Sequence, residues 1–181
     1  MLRIDARRPQ AAHLGHAAAV LARGGLVVFP TACIYGLGAD ARNPAALRRV
    51  FAVKGRPANK PLLVLIPDRD AVSDLVADVP PAAERLMARF WPGRITLVMK
   101  AADGVAPELT GGTGKIGVRL PGHPAAAALV RTFGRPITGT SANPSGQPGC
   151  RRIKELGVSF LQSVDLVLDA GALAGGVGST I

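Results

Sequence analysis

Only two cysteines, Cys33 and Cys150, and three histidines, His13, His16 and His123, stand in the 181 residues. Neither set has the close pairing that a structural zinc site needs, so no protein-held metal is expected. No disulfide framework is legible either, and a reducing, cytoplasmic compartment is the expectation. Aromatic residues are scarce, with one Trp, one Tyr and five Phe, which leaves few platforms for stacking single-stranded bases. The only glutamates, Glu84, Glu108 and Glu155, stand far apart in unremarkable contexts, so paired-carboxylate glycosidase chemistry is not indicated. No uncharged apolar run approaches membrane-spanning length, and no basic flank leads into an apolar stretch at the N-terminus. Neither a membrane span nor a signal peptide is expected.

What is present is apolar and basic. The apolar fraction is 48% and the formal net charge +10, from 22 basic against 12 acidic residues. That balance favours a polyanionic partner, a nucleotide or a nucleic acid, without choosing between them. The length suits one domain over residues 1–181. Residues 2–5 read as a short edge strand, and 9–23 as an alanine-rich helix with Leu14, Ala17, Ala18 and Leu21 on one face, stopped at Gly24-Gly25. Leu26–Phe29 reads as a strand closed by Pro30, and Asn43-Pro44 as the start of a helix with Leu47, Val50 and Phe51 inward. Further helices are expected over 70–77, over 80–91 with Leu86, Met87 and Phe90 packed, and over 123–133, with a short one over 151–156. Strands are expected over 62–66, 95–99, 116–120, 136–140 and 164–168. The alternation predicts an α/β protein with a twisted mixed sheet and flanking helices.

The chemistry concentrates in a few loops. Between Asp40 and Ile66 stand six cations (Arg42, Arg48, Arg49, Lys54, Arg56, Lys60) and one acid. Lys54, Arg56 and Lys60 fall in KGRPANK, between a helix end and a strand start, where open α/β sheets place ligand loops. Lysine offers a point charge and arginine a planar fork, a pairing suited to phosphate, although a solvated basic loop reads the same. TSANPSG follows a strand, so Thr140, Ser141 and Asn143 are candidate donors to phosphate, ribose or carboxylate, or members of an ordinary turn. Arg119 lies in an otherwise buried strand and points to a cleft or an acid, with Lys115 near it. GGTGKI is not a Walker loop, because Leu109 stands where its first glycine belongs and Ile116 where it needs Ser or Thr. TGGTG therefore reads equally as a hairpin-like turn and as a ligand-facing loop. Cys33 has no histidine near it in sequence, and its commoner role is that of a small buried hydrophobe rather than a nucleophile.

Taken together, FPTACIYGLGADA, KGRPANKPL, WPGRITLVM, GVRLPGHP, TSANPSG and the final GST resemble the YrdC/Sua5 family, the threonylcarbamoyl-AMP synthases, over residues 9–180. The resemblance is to the short form without an extra C-terminal domain. It implies a YrdC-like α/β fold around a positively charged cavity. It also implies a nucleotidyltransferase that joins L-threonine, bicarbonate and ATP into threonylcarbamoyl-adenylate and releases pyrophosphate. Partner proteins would then transfer the threonylcarbamoyl group to adenosine 37 of tRNA, with tRNA itself a candidate direct ligand. The motifs assign Lys54, Arg56 and Lys60, with Lys115 more weakly, to the ATP phosphates, with Lys54 and Arg56 as the catalytic cations. They assign Ser141 and Asn143 to the nucleotide, and Thr31, Cys33, Arg119, Thr140 and Ser179 to threonine. Mg2+ is expected on the phosphates rather than in a protein cage.

Three positions depart from the family pattern. Ala32 stands where an acid is usual, Cys33 where a threonine is usual and Leu65 where many members carry histidine. A thiol is a poor donor, so a hydrogen bond lost at Cys33 is worth about 0.5–1.5 kcal/mol. These changes touch the amino-acid end, and a carbamoyl-adenylate enzyme with another acceptor stays open. So does an RNA-binding or ribosome-associated role without catalysis, which the net charge alone would fit.

Overall fold

The computed structural model describes residues 1–176 and 179–181. In chain order the elements begin with β1 (Leu2–Arg3), α1 (Ala11–Ala22), β2 (Val27–Pro30), β3 (Tyr35–Gly38), α2 (Pro44–Lys54) and β4 (Val64–Leu65). They continue with α3 (Pro81–Phe90), β5 (Leu97–Lys100), α4 (Pro107–Thr110), β6 (Lys115–Arg119) and α5 (Pro124–Phe133). β7 (Ile137–Thr138), β8 (Thr140–Ser141), α6 (Val158–Gln162) and β9 (Leu166–Asp169) complete the series. The α/β alternation read from the sequence is thus present, but the strands form two mixed sheets rather than one. The first has the order β1-β9-β2-β3-β8 and the second β5-β6-β4-β7.

The division falls at Gly139. Residues 136–140 read as a single strand, yet Ile137 and Thr138 pair with Leu65 and Val64 in the second sheet, while Thr140 and Ser141 pair with Leu37 and Gly36 in the first. A Cβ at Gly139 would lie 2.7 Å from Cγ of Leu65, so only glycine lets the chain cross there. β3 escaped the sequence reading because YGLG looks like a broken loop. The Phe29 ring lies so close that a Cβ at Gly38 would come within 2.9 Å of it, and β2 pairs with β3 from Val27↔Gly38 to Pro30↔Tyr35.

Local signals held where they were complete. The Asn43 side chain accepts from the Ala45 and Ala46 N–H groups at 3.0 and 3.2 Å, Pro44 opens α2, and Gly55 closes it in the left-handed region at φ 55. Residues 70–77 instead form only a 3-10 turn over Asp70–Val72, and 151–156 another over Ile153–Glu155. On α3 the packed face is Ala83 and Met87, one turn apart, whereas Leu86 and Phe90 are 41% and 40% exposed. On α1, Val20 rather than Ala18 completes the buried face.

Tyr35, the one tyrosine, is fully buried at the start of β3 in the first sheet. Its hydroxyl donates to the Gly171 carbonyl at 2.8 Å with Asp169 Oδ1 at 3.1 Å, and accepts from Ala170 N–H at 2.9 Å. Burial pushes its pKa up to about 12. Tyr35→Phe keeps the ring and orphans these partners, so it is expected to lower stability by about 1–3 kcal/mol. A urea titration that places the variant on the wild-type curve would show the hydroxyl to be idle.

Candidate functional site

Two adjoining cavities open between the sheets. The first, about 530 Å³, is lined by Thr31, Cys33, Arg94, Arg119, Ser141 and Ser179, with Leu65, Pro121, His123 and Ala126 among its other walls. The second, about 570 Å³, is lined by Arg56, Thr96, Val98, Thr113, Lys115 and Gly117. Leu63, Gly139 and Thr140 belong to both walls, so the strand crossing at Gly139 is their common waist. A larger hollow of about 890 Å³, around the Arg42–Asp74 ion pair, contains none of the residues that the sequence motifs assign to ATP or threonine.

At the first cavity, Arg119 ends β6 opposite Leu65 of β4. Its guanidinium donates to Thr96 Oγ1, at 3.0 Å from Nε, and to Ser179 Oγ. Burial, with the charge of Arg94 as a second cause, pushes its pKa down to about 10, which leaves it cationic at neutral pH. Arg94 donates to Cys33 Sγ at 3.0 Å. The thiol is thus an acceptor in the wall, 7% exposed, and Thr31 turns its hydroxyl onto the Ile34 carbonyl at 2.6 Å. Arg94, Thr96 and His123 were not singled out from the sequence. Arg94 could have been found as a cation after Pro92-Gly93 at the head of a strand, the same placement that drew attention to Lys115. His123 caps α5, its Nδ1 is buried without a partner, and burial lowers its pKa, so it lines the cavity as a neutral imidazole.

The basic loop divides. Arg56 lines the second cavity and braces its own loop, donating from Nε to the Lys60 carbonyl at 3.2 Å and from Nη2 to the Pro61 carbonyl at 2.8 Å. Burial lowers its pKa. Lys115 faces the same cavity, whereas Lys60 is exposed and lines neither. Lys54 is 2% exposed, lines neither cavity, and donates to the carbonyls of Ser141 and Asn143. Asn143 is buried too, its amide nitrogen donating to the Pro144 and Gln147 carbonyls at 2.8 and 2.6 Å. The TGGTG segment is not a tight hairpin turn, because α4 and its cap stand between β5 and β6. Gly111, at φ 55, packs directly under the basic loop, where a Cβ would lie 2.8 Å from the Asn59 carbonyl oxygen.

The arrangement suits a ligand with two anionic ends. Arginine forks at Arg94 and Arg119 match a carboxylate, Arg56 and Lys115 match phosphates, and Thr140 and Ser141 offer hydroxyls between them. Among the described residues no group of three or more His, Cys, Asp or Glu could hold a metal ion, and no helix is long and apolar enough to cross a membrane.

The family model for Sua5, YciO and YrdC, described as "Telomere recombination", matches residues 19–181. The chain is 38% identical over 169 residues to a threonylcarbamoyl-AMP synthase of Bacillus subtilis (strain 168), covering 93% of this chain and 49% of that protein. It is 36% identical over 160 residues to a threonylcarbamoyl-AMP synthase of Halorhodospira halophila, covering 88% of this chain and 83% of that one. Among solved structures, P. abyssi Sua5 complexed with L-threonine matches with a TM-score of 0.92 and 37% identity, over 99% of this chain and 53% of that chain. E. coli YciO matches with a TM-score of 0.84 and 27% identity, over 96% and 84%. The chain therefore spans about half the length of the B. subtilis and P. abyssi proteins it matches.

Proposed function

This chain belongs to the Sua5–YciO–YrdC family, and from that premise we propose that residues 1–181 form a single YrdC-like domain that makes threonylcarbamoyl-adenylate from L-threonine, bicarbonate and ATP. The observation that carries the reading is the pair of cavities joined at Gly139 and Thr140, with arginine forks at one end and Arg56 and Lys115 at the other. Its relatives from B. subtilis and H. halophila bear the name of this activity, and the P. abyssi neighbour was solved with threonine.

Threonine lies in the first cavity with its carboxylate on Arg119 and Arg94, beside Thr31, Cys33, Thr140 and Ser179. Its amine attacks the carbon of bicarbonate, a C–N bond forms, and water is lost to leave a carbamate. ATP lies in the second cavity with its phosphates on Arg56 and Lys115, Lys60 adds charge from the rim, and Ser141 meets the nucleotide. Asn143 acts from beneath by holding that loop. A carbamate oxygen then attacks the α-phosphorus, the bond to the bridging oxygen breaks, and pyrophosphate departs. No protein nucleophile enters these steps. Catalysis is in-line placement plus cationic stabilisation of the departing charge. Mg2+ carried on the ATP phosphates would offset their charge beside Arg56 and Lys115. The product passes to proteins that modify adenosine 37 of tRNA in the cytoplasm.

The expected result is release of pyrophosphate from ATP that depends on both threonine and bicarbonate. Normal ATP binding with no adenylate formed under those conditions would end the proposal. The contact of Arg94 with Cys33 and the presence of Leu65 in the wall favour one variation, an acceptor other than threonine. A panel including serine and carbamoyl phosphate decides between them.

A further inference from the structure

The loop Thr140–Gln147 forms one wall of the site, and Lys54 holds it from below. Nζ of Lys54 donates to the Ser141 carbonyl at 2.5 Å and to the Asn143 carbonyl at 2.6 Å, and the Lys54 carbonyl accepts from Ser145 N–H at 2.6 Å. One residue thus grips three alternate positions of a single loop. Two carbonyl oxygens that would repel a phosphate are drawn onto the ammonium instead. Lys54 lines neither cavity, so its amine is turned away from a ligand in either. A fully buried ammonium is tolerated only when its charge is compensated. Here its hydrogen-bond partners are neutral carbonyls, and no carboxylate forms an ion pair with it among the described residues.

We propose that Lys54 is a positioning residue rather than a phosphate ligand: it clamps Thr140–Gln147 so that Thr140 and Ser141 face the nucleotide, and a polyphosphate bound beside Arg56 supplies its missing counter-charge. The inference rests on the nucleotide reading above and narrows the role that the sequence motif suggests for this lysine. Proton linkage follows from it. Burial, and next the charge of Arg56, push the Lys54 pKa down to about 8. Arg56 is the charge that acts on it, and the loop side contributes only the uncharged Ser141, Asn143 and Ser145. A bound polyanion raises the proton affinity of the amine, so binding takes up a proton above pH 8 and weakens as the pH climbs.

The test uses the full chain with Lys54→Met and Lys54→Arg. Without ligand, Lys54→Met is expected to speed amide hydrogen exchange at Ser145 and Gln147 at least about tenfold while α5 keeps its wild-type rates. ATP binding followed from pH 7.5 to 9.5 is expected to weaken about tenfold in the wild type, the span set by a group titrating near 8. Lys54→Met starts about tenfold weaker and stays flat with pH, and Lys54→Arg recovers affinity without the alkaline decline. Unchanged loop exchange in Lys54→Met, or a pH slope equal to that of the wild type, overturns the clamp. Failure of the wild type to bind ATP at all removes the nucleotide reading, and the exchange measurement still decides whether Lys54 orders the loop.

Discussion

Arg119→Ala is expected to cut threonine-dependent pyrophosphate release by roughly 10²–10³-fold in kcat/KM, with the loss concentrated in the KM for threonine. Removing one member of a desolvated, hydrogen-bonded charge pair costs about 2–5 kcal/mol, and each ~1.4 kcal/mol is tenfold. The guanidinium is fixed before any ligand arrives, by Thr96 Oγ1 and Ser179 Oγ, so little ordering entropy is spent when a carboxylate docks. Arg94 is exposed and donates to Cys33 Sγ, and it is not expected to take over the role of Arg119. Arg119→Lys restores charge without the fork and is expected to recover only a small part of the loss. ATP affinity measured without threonine should change little, because Arg119 does not line the second cavity. Equal losses in ATP binding and threonine use would remove Arg119 from the amino-acid end.

Gly111→Ala should destabilise the fold by about 2–4 kcal/mol, the sum of a left-handed backbone cost and an overpacked contact. For a chain of this size that is a fall in Tm of roughly 5–15 °C. At φ 55 its Cβ would lie 2.8 Å from both the Asn59 carbonyl oxygen and the Pro61 nitrogen. Both are backbone atoms of the loop that Arg56 braces through Lys60 and Pro61, so the loop must move as a unit. The KM for ATP should therefore rise together with the loss of Tm. Gly112→Ala is the control, since φ there is 78 and a Cβ would meet nothing within 4 Å. It carries the backbone cost alone, about 1 kcal/mol. Indistinguishable melting curves for the two variants would refute the packing argument.

What could be read in advance followed the range of the interactions. The start of α2 was legible because Asn43, Pro44 and Gly55 settle it among neighbours in sequence. The motif loops could be picked out because their residue types carry chemistry wherever they fold, and Arg56, Lys115, Thr140 and Ser141 do line the two cavities. β3 was hidden because its glycines answer to the Phe29 ring of another strand, and the exchange of sheets at Gly139 was hidden because five apolar and small residues read as one strand. The misjudged face of α3 has the same origin, since Leu86, Met87 and Phe90 fit a helix stripe equally well until the neighbouring layer selects Ala83 and Met87. Within the site, charge alone could not separate Lys54, turned inward onto carbonyls, from Lys60, turned outward to water. Arg94 acquires its place only when Cys33, 61 residues away, comes to meet it.

The crossing at Gly139 bears on how a substrate can enter. The peptide between Thr138 and Thr140 is bonded into one sheet on one side and into the other sheet on the other. Swinging the sheets apart would break the Thr138 N–H bond to the Ala39 carbonyl at 2.9 Å and the Asp40↔Ile137 bridge, which tie β7 to the chain just past β3, so the cavity floor resists opening as a jaw. Traffic in and out has to pass over the rim, where Thr31–Ile34 and the basic loop are held by turns and side chains instead of ladders. For the proposed reaction, rate limits on exchange of substrate and product are therefore expected in loop motion, with the separation of Arg119 from Arg56 and Lys115 held constant.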